Sequence, residues 1–178
     1  MIFAVLATGP SMSQSVADQV RGRCKVVAVS DAYKLAPWAD ALVSSDAAWW
    51  KANPAAVEFN GPKWSAAPDF RQVAGVERFP SADNGSNSGL LACQVAVSMG
   101  AKTILLCGFD MRGAHFFGPH QAPLKNTQPS RFEVFLRQFA RFRPRGVEVL
   151  NCTPGSALKH FPMVDLDEAL AARAMLAA

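Results

Sequence analysis

The stretch Asn84-Gly85-Ser86-Asn87-Ser88-Gly89, running into Leu90-Leu91-Ala92-Cys93-Gln94-Val95-Ala96-Val97-Ser98-Met99-Gly100, decides how this chain is read. A polar, glycine-bearing turn leads straight into an almost wholly apolar helix. Thr103-Ile104-Leu105-Leu106-Cys107 follows as a buried strand and ends in Gly108-Phe109-Asp110. A helix start with free backbone N–H groups, small residues and hydroxyls is a ready site for an anion. A phosphorylated or nucleotide ligand is therefore the first expectation.

Working outward, the same strand-then-helix alternation repeats. Ile2–Leu6, Val26–Val29 and Ala41–Val43 are short, continuous apolar runs, the pattern of strands buried on both faces, and Val147-Glu148-Val149-Leu150 reads as a further strand. Ser13 caps a helix that runs to about Val20 and stops at Gly22. A short helix carries Trp49 and Trp50. Phe132, Phe135, Leu136, Phe139 and Phe142 recur at spacings of three and four, which predicts an amphipathic helix over 130–142. An Ala/Leu helix closes the chain over about 165–177. Residues 53–86 form an irregular insertion rich in Pro, Gly, Asn and Ser, with short strands expected near Val57–Phe59 and Val76–Phe79. The expected fold class is α/β: a Rossmann-like, doubly wound, mostly parallel sheet in one domain over 1–178.

Polar or glycine clusters sit at the C-terminal ends of successive strands: Thr8–Ser11, Ser30–Asp31, Ser44–Asp46, Gly108–Asp110 and Asn151–Thr153. Ligands of open α/β sheets bind along that edge. Thr8-Gly9-Pro10-Ser11 can wrap a phosphate, although it is neither GxGxxG nor a Walker loop. Asn87, Ser88 and Gly89 offer an amide, a hydroxyl and main-chain donors. Ser86 or Asn87 equally serves as an ordinary N-cap, but a cap does not require Gly89, which implies close approach of a ligand or another backbone. Asp31 and Asp46 can accept from ribose or acceptor hydroxyls, or cap helices. His115-Phe116-Phe117-Gly118-Pro119-His120 holds two of the three histidines, and imidazole is the natural general base near neutral pH. Trp38, Trp49, Trp50 and Trp64 can stack on a base or sugar, or pack in the core.

The 178 residues carry a net charge of +4, which suits a small anionic ligand and is compatible with nucleic acid without indicating it. The basic residues form two separate groups, Arg21/Arg23/Lys25 and Arg137/Arg141/Arg143/Arg145, rather than one stripe. The four cysteines are isolated and read as reduced core thiols of a cytoplasmic protein. No apolar run approaches the ~20 residues of a membrane span. The apolar start, Met1–Ala7, is short and reads as a first strand rather than a signal peptide. Asp165-Leu166-Asp167 matches a DxD metal motif in form, but acids there open a helix and offset its dipole; no metal or other cofactor is expected.

Ala7-Thr8-Gly9-Pro10-Ser11, Val29-Ser30-Asp31-Ala32, Ala36-Pro37-Trp38-Ala39-Asp40, Asp46-Ala47-Ala48-Trp49-Trp50, Asn87-Ser88-Gly89, Gly108-Phe109-Asp110-Met111, His115-Phe116-Phe117-Gly118 and Asn151–Leu158 together resemble a family of small phage and prophage proteins, the norphogenetic proteins. More distantly, the order of motifs is similar to that of bacterial CMP-sialic-acid-dependent sialyltransferases of the lipooligosaccharide type. That resemblance implies a Rossmann-like glycosyltransferase fold and metal-independent chemistry with a histidine base. Under it, Gly9, Pro10 and Ser11 would face the nucleotide phosphate, and Ser30 or Asp31 would lie near the nucleotide or donor sugar. Asn87, Ser88 and Gly89 would hold the cytosine end. His120 would be the base, with His115 as second choice, and Thr8 and Asp110 would line the same rim. Arg112 stands close to a place where those enzymes use tyrosine to neutralise the leaving phosphate, and a guanidinium supplies the same charge.

The expected function is thus a phage- or prophage-encoded, glycosyltransferase-like enzyme using a nucleotide-sugar donor, a CMP-sugar being favoured, on an acceptor the sequence does not name. One alternative is a non-catalytic phage accessory or assembly protein that retains the fold and forms a homo-oligomer. A further one is a diphosphokinase of the pterin type, for which no Walker lysine stands in the chain.

Overall fold

Parallel pairing of short apolar runs builds the frame of the molecule. The computed structural model describes residues 1–66, 73, 75–81 and 87–177, with side chains as far as Ala172. Its strands are β1 (Ile2–Leu6), β2 (Lys25–Val29), β3 (Ala41–Val43), β4 (Lys63–Ser65), β5 (Glu77–Arg78), β6 (Thr103–Cys107) and β7 (Glu148–Asn151). Its helices are α1 (Gln14–Val20), α2 (Ala47–Ala52), α3 (Ser88–Ser98), α4 (Pro129–Arg141) and α5 (Leu166–Ala177). The seven strands form one sheet in the order β5-β4-β3-β2-β1-β6-β7, and every pairing is parallel.

Strand side chains alternate between two cores because their period is two. Phe3 and Val5 of β1, Val27 and Val29 of β2, and Ile104 and Leu106 of β6 face α3 and α4. Ala4, Leu6, Val26, Ala28, Leu105 and Cys107 face α1, α2 and α5. Both faces of the sheet are covered, which is why the runs are apolar without polar alternation. This is a doubly wound, Rossmann-like α/β fold.

α3 lies under the middle of the sheet with Leu90, Leu91, Ala92, Cys93, Val95 and Ala96 buried. Asn87 caps it by accepting the Leu90 N–H at 3.1 Å; Asn84–Ser86 of the preceding turn lie outside the described residues. α4 presents Phe139, fully buried, edge-to-face with Phe109 at 5.7 Å and with Phe161 at 6.2 Å between centroids. The cysteines are free thiols, three of them buried. Burial pushes the Cys24 thiol up to about 11.

Two local expectations differ from the structure. Val57–Phe59 is not a strand; Pro54–Glu58 forms a 3-10 turn, started by Pro54 and closed by the Ala56 N–H to Asn53 carbonyl bond at 2.9 Å. Proline fixes the first φ of a helical turn and favours this choice. The strand expected at Val76–Phe79 is confined to Glu77–Arg78, at the sheet edge. Asp165 and Asp167 act as expected of acids at a helix start: Asp165 accepts the Glu168 N–H at 3.1 Å and Asp167 pairs with Arg23 at 2.8 Å. Among the described residues, no helix is long and apolar enough to cross a membrane.

Removing the Phe139 ring leaves a void between two aromatic partners. Phe139→Ala is expected to cost about 3–5 kcal/mol, measured by urea denaturation, and to loosen α4 from the sheet.

Candidate functional site

The strand order reverses between β1 and β6. β1 leads to α1 on one face of the sheet, and β6 leads towards α4 on the other. Their outgoing chains diverge, and a crevice opens at this switch point. It is a cleft of about 770 Å³, within the general range of small-molecule pockets.

Two glycines set its floor. The Gly9 N–H donates to the Gly108 carbonyl at 2.9 Å. A Cβ on Gly9 would overlap the Asp110 carboxylate and stand 2.5 Å from the Gly108 carbonyl. Gly108 itself has φ +75°, and a Cβ there would meet the Ala7 carbonyl at 2.9 Å. The close approach inferred at Gly9 is therefore to protein atoms of the neighbouring strand exit. The same holds at Gly89, where a Cβ would stand 2.8 Å from the Phe109 ring. Asp110 is buried and accepts from the Ser11 hydroxyl at 2.8 Å and the Ser11 N–H at 3.3 Å. Ser11 is thus turned to Asp110, and neither it nor Pro10 lines the cleft.

The other expected residues, Thr8, Gly9, Ser30, Asp31, Asn87, Ser88, Gly89, Asp110, Arg112, His115 and His120, come together around this one cleft. Several are already engaged. Asn87 donates from Nδ2 to Gln138 Oε1 at 3.1 Å besides capping α3. Ser88 Oγ accepts the Ser45 N–H at 2.9 Å and lies 2.8 Å from Ser45 Oγ. From this helix start, the first-turn amides have no preceding carbonyl to accept them. Asp31 is buried, ion-paired with Lys34, and accepts from Trp49 Nε1 at 2.7 Å. Ser30 and Met111, both in the cleft wall, have φ of +45° and +55°. Left-handed backbone at non-glycine residues is costly and concentrates at binding sites.

The fifth polar strand end, Asn151–Thr153, does not line the cleft; it supports it from behind. Thr153 Oγ1 accepts the Phe109 N–H at 2.9 Å and donates to the Leu106 carbonyl at 3.2 Å. Ser156 Oγ donates to the Phe109 carbonyl at 2.5 Å, and Asn151 Nδ2 donates to the Leu158 carbonyl at 2.9 Å. This buried network fixes the Gly108–Asp110 turn.

The histidines come from the long loop after β6. Thr8 Oγ1 and His115 Nδ1 are hydrogen-bonded at 2.9 Å, and the Phe116 N–H donates to the Thr8 carbonyl at 3.0 Å. The His115 ring stacks on Phe117 at 4.9 Å and lies 4.5 Å from that of His120. Burial lowers the His115 pKa below its usual 6.5, and His120 adds to the effect; Asp31 and the Thr8 backbone oppose it. His120 is tied down by its N–H to Asn126 Oδ1 at 2.6 Å. Arg112 and Lys125 line the cleft, are exposed, and form no ion pair among the described residues. Sequence reading did not single out Lys125, Phe132 or Phe135 for this wall. The two phenylalanines read as part of an apolar helix face, and only docking of α4 turns them towards the cleft.

A second cavity of about 650 Å³ adjoins the first and shares Asp31, Pro119 and His120 with it. Among the described residues, no group of three or more His, Cys, Asp or Glu is arranged to hold a metal ion.

Fold and cleft define a Rossmann-like α/β protein with an open crevice at the switch point of its sheet. No family model, curated protein or solved structure matches the chain.

Thr153→Val keeps the shape of the side chain but leaves the Phe109 N–H without an acceptor; a loss of about 1–3 kcal/mol is expected by chemical denaturation. His115 should titrate below 6.5 by NMR. The folded state then binds fewer protons than the unfolded chain, so the contribution of the neutral ring is present above pH 6.5 and lost as pH falls through 6.5 towards the folded value. His115→Gln should flatten that part of the pH–stability curve.

Proposed function

We propose that this chain is a metal-independent, glycosyltransferase-like enzyme that takes a nucleotide-sugar donor, of the CMP-sugar type, into the cleft between β1 and β6. The observation that carries the reading is His120. It stands in the wall of a switch-point cleft large enough for a nucleotide, with the imidazole of His115 against it and the exposed guanidinium of Arg112 in the same wall. A base and a positive charge in one crevice are what transfer from a phosphate leaving group requires.

In this reading the donor phosphate lies towards the start of α3 and Arg112, where the positive end of the helix dipole and a guanidinium favour an anion. Trp49, Phe132 and Phe135 give the nucleotide an apolar wall. His120 accepts the proton of an acceptor hydroxyl. The oxygen forms its bond to the anomeric carbon as the bond from that carbon to the phosphate oxygen breaks. The nucleotide leaves with the electron pair, and Arg112 meets the charge that develops on it. His115, anchored by Thr8 and with its pKa lowered by burial, which favours the neutral ring, positions the His120 ring.

Thermal shifts with CMP, CDP, UDP and GDP, each with and without EDTA, test the donor site. Stabilisation by CMP that EDTA leaves unchanged is expected; stabilisation by none of the four overturns the reading. His120→Ala should lower turnover of a CMP-sugar by about 10²–10⁴-fold while CMP affinity stays within about twofold. Parallel loss of both would remove His120 from the role of base.

A further inference from the structure

The second cavity has a different chemistry from the first. Its walls come from the 3-10 turn after β2, the end of α2, and the loop that carries His120. Among the described residues that line it, Lys34 and Lys51 supply its cations and Asp31 is the one acid. Lys34 already neutralises Asp31 through their ion pair. Lys51 is exposed and forms no ion pair among the described residues, so the cavity carries an unbalanced positive charge. Asn53 lies on the same wall, and Phe117, 40% exposed, offers an aromatic face at the mouth. The donor cleft differs in having the strand-end hydroxyls and the start of α3.

His120 and Pro119 belong to both cavities. A molecule seated in the second one therefore meets the same histidine as a molecule in the first. A two-substrate transfer needs donor and acceptor both within reach of the base, each held by its own contacts. An exposed aromatic ring suits the apolar face of a sugar, and an unpaired ammonium suits a carboxylate or phosphate.

We propose that the second cavity is the acceptor subsite, and that it takes a hydroxylated acceptor bearing an anionic group, a carboxylate or a phosphate, with Lys51 pairing to that group and Phe117 covering the sugar. The assignment rests on the transferase reading of the first cleft and names the substrate class for it. The acceptor hydroxyl then points at His120 across the shared wall. The anionic group stays at the far end, beside Lys51, where its charge does not oppose that of the donor phosphate.

The test is amide-resolved NMR titration of the full chain with glucuronate, glucose 6-phosphate and glucose, each alone and after saturation with CMP. Glucuronate and glucose 6-phosphate separate a carboxylate from a phosphate source, and glucose is the neutral control. Either anionic sugar should shift the Lys51 and Asn53 amides and bind more tightly than glucose. Lys51→Glu should weaken that binding by about tenfold or more, the loss of one charge-assisted contact, and leave CMP affinity unchanged. Lys51→Arg should restore it. Equal binding of glucose and the anionic sugars, or Lys51→Glu without effect, overturns the assignment. CMP binding with no anionic-sugar shift at Lys51 overturns the acceptor subsite and leaves the donor reading standing. Anionic-sugar shifts at Lys51 from a protein that CMP itself fails to bind overturn the donor reading instead, while supporting the anion preference of this cavity.

Discussion

The structure depends on one contact between two strand exits. β1 and β6 are neighbours, but their chains leave for opposite faces of the sheet. At the point of parting, the Gly9 N–H is hydrogen-bonded to the Gly108 carbonyl, and Ser11 is bonded to Asp110. The two backbones are too close there for any Cβ on Gly9, and a Cβ on Gly108 would press on the Ala7 carbonyl. This clasp sets how wide the crevice opens, and every cleft residue from the two strand exits takes its position from it. A buried carboxylate with two donors from one serine is a rigid element, because leaving it unsatisfied in a low-dielectric setting is expensive.

Behind the clasp, the β7 exit provides the rest of the rigidity. Thr153 and Ser156 bond both main-chain groups of Phe109, and the Phe109 ring is held between Gly89 and Phe139. On the other side, Ser88 joins the start of α3 to the exit of β3, and Asn87 joins it to α4 through Gln138. The polar side chains at the strand ends thus bond mainly to one another. Charge available to a ligand comes from the loop after β6 and the chain just beyond it, in Arg112 and Lys125, and from α2 in Lys51. Pre-organisation lies in the sheet rim, and the variable chemistry in the loop that overhangs it.

The fold was legible in particular residues. Phe3–Leu6 and Ile104–Cys107 are apolar at every position because both faces of their strands are covered, and Ser13, Gly22 and Asn87 mark helix ends through local hydrogen bonding or backbone conformation. β4 was not legible: Lys63-Trp64-Ser65 is three residues long, mixed in polarity, and is a strand only because β3 offers it an edge. The run at Val57 has strand-forming residues, but Pro54 and two small alanines let a 3-10 turn form first. Among site residues, the clustering of polar strand ends was visible in advance. The partner of each was not: Gly9 and Gly89 face protein atoms rather than open space, and Ser11 faces Asp110, 99 positions away.

By itself the sequence determined the central apolar strands, the helices, their alternation, and the rim along which polar residues gather, because those follow from period, burial and local capping. Only the tertiary structure decided which of these residues remain free. Hydrogen-bond partners far apart in the chain take up Ser11, Asn87, Ser88 and Thr153, while His115 and His120 meet near Thr8 and a second cavity adjoins the first at His120. Such pairings depend on how the exits of non-consecutive strands are brought side by side, and nothing local encodes that.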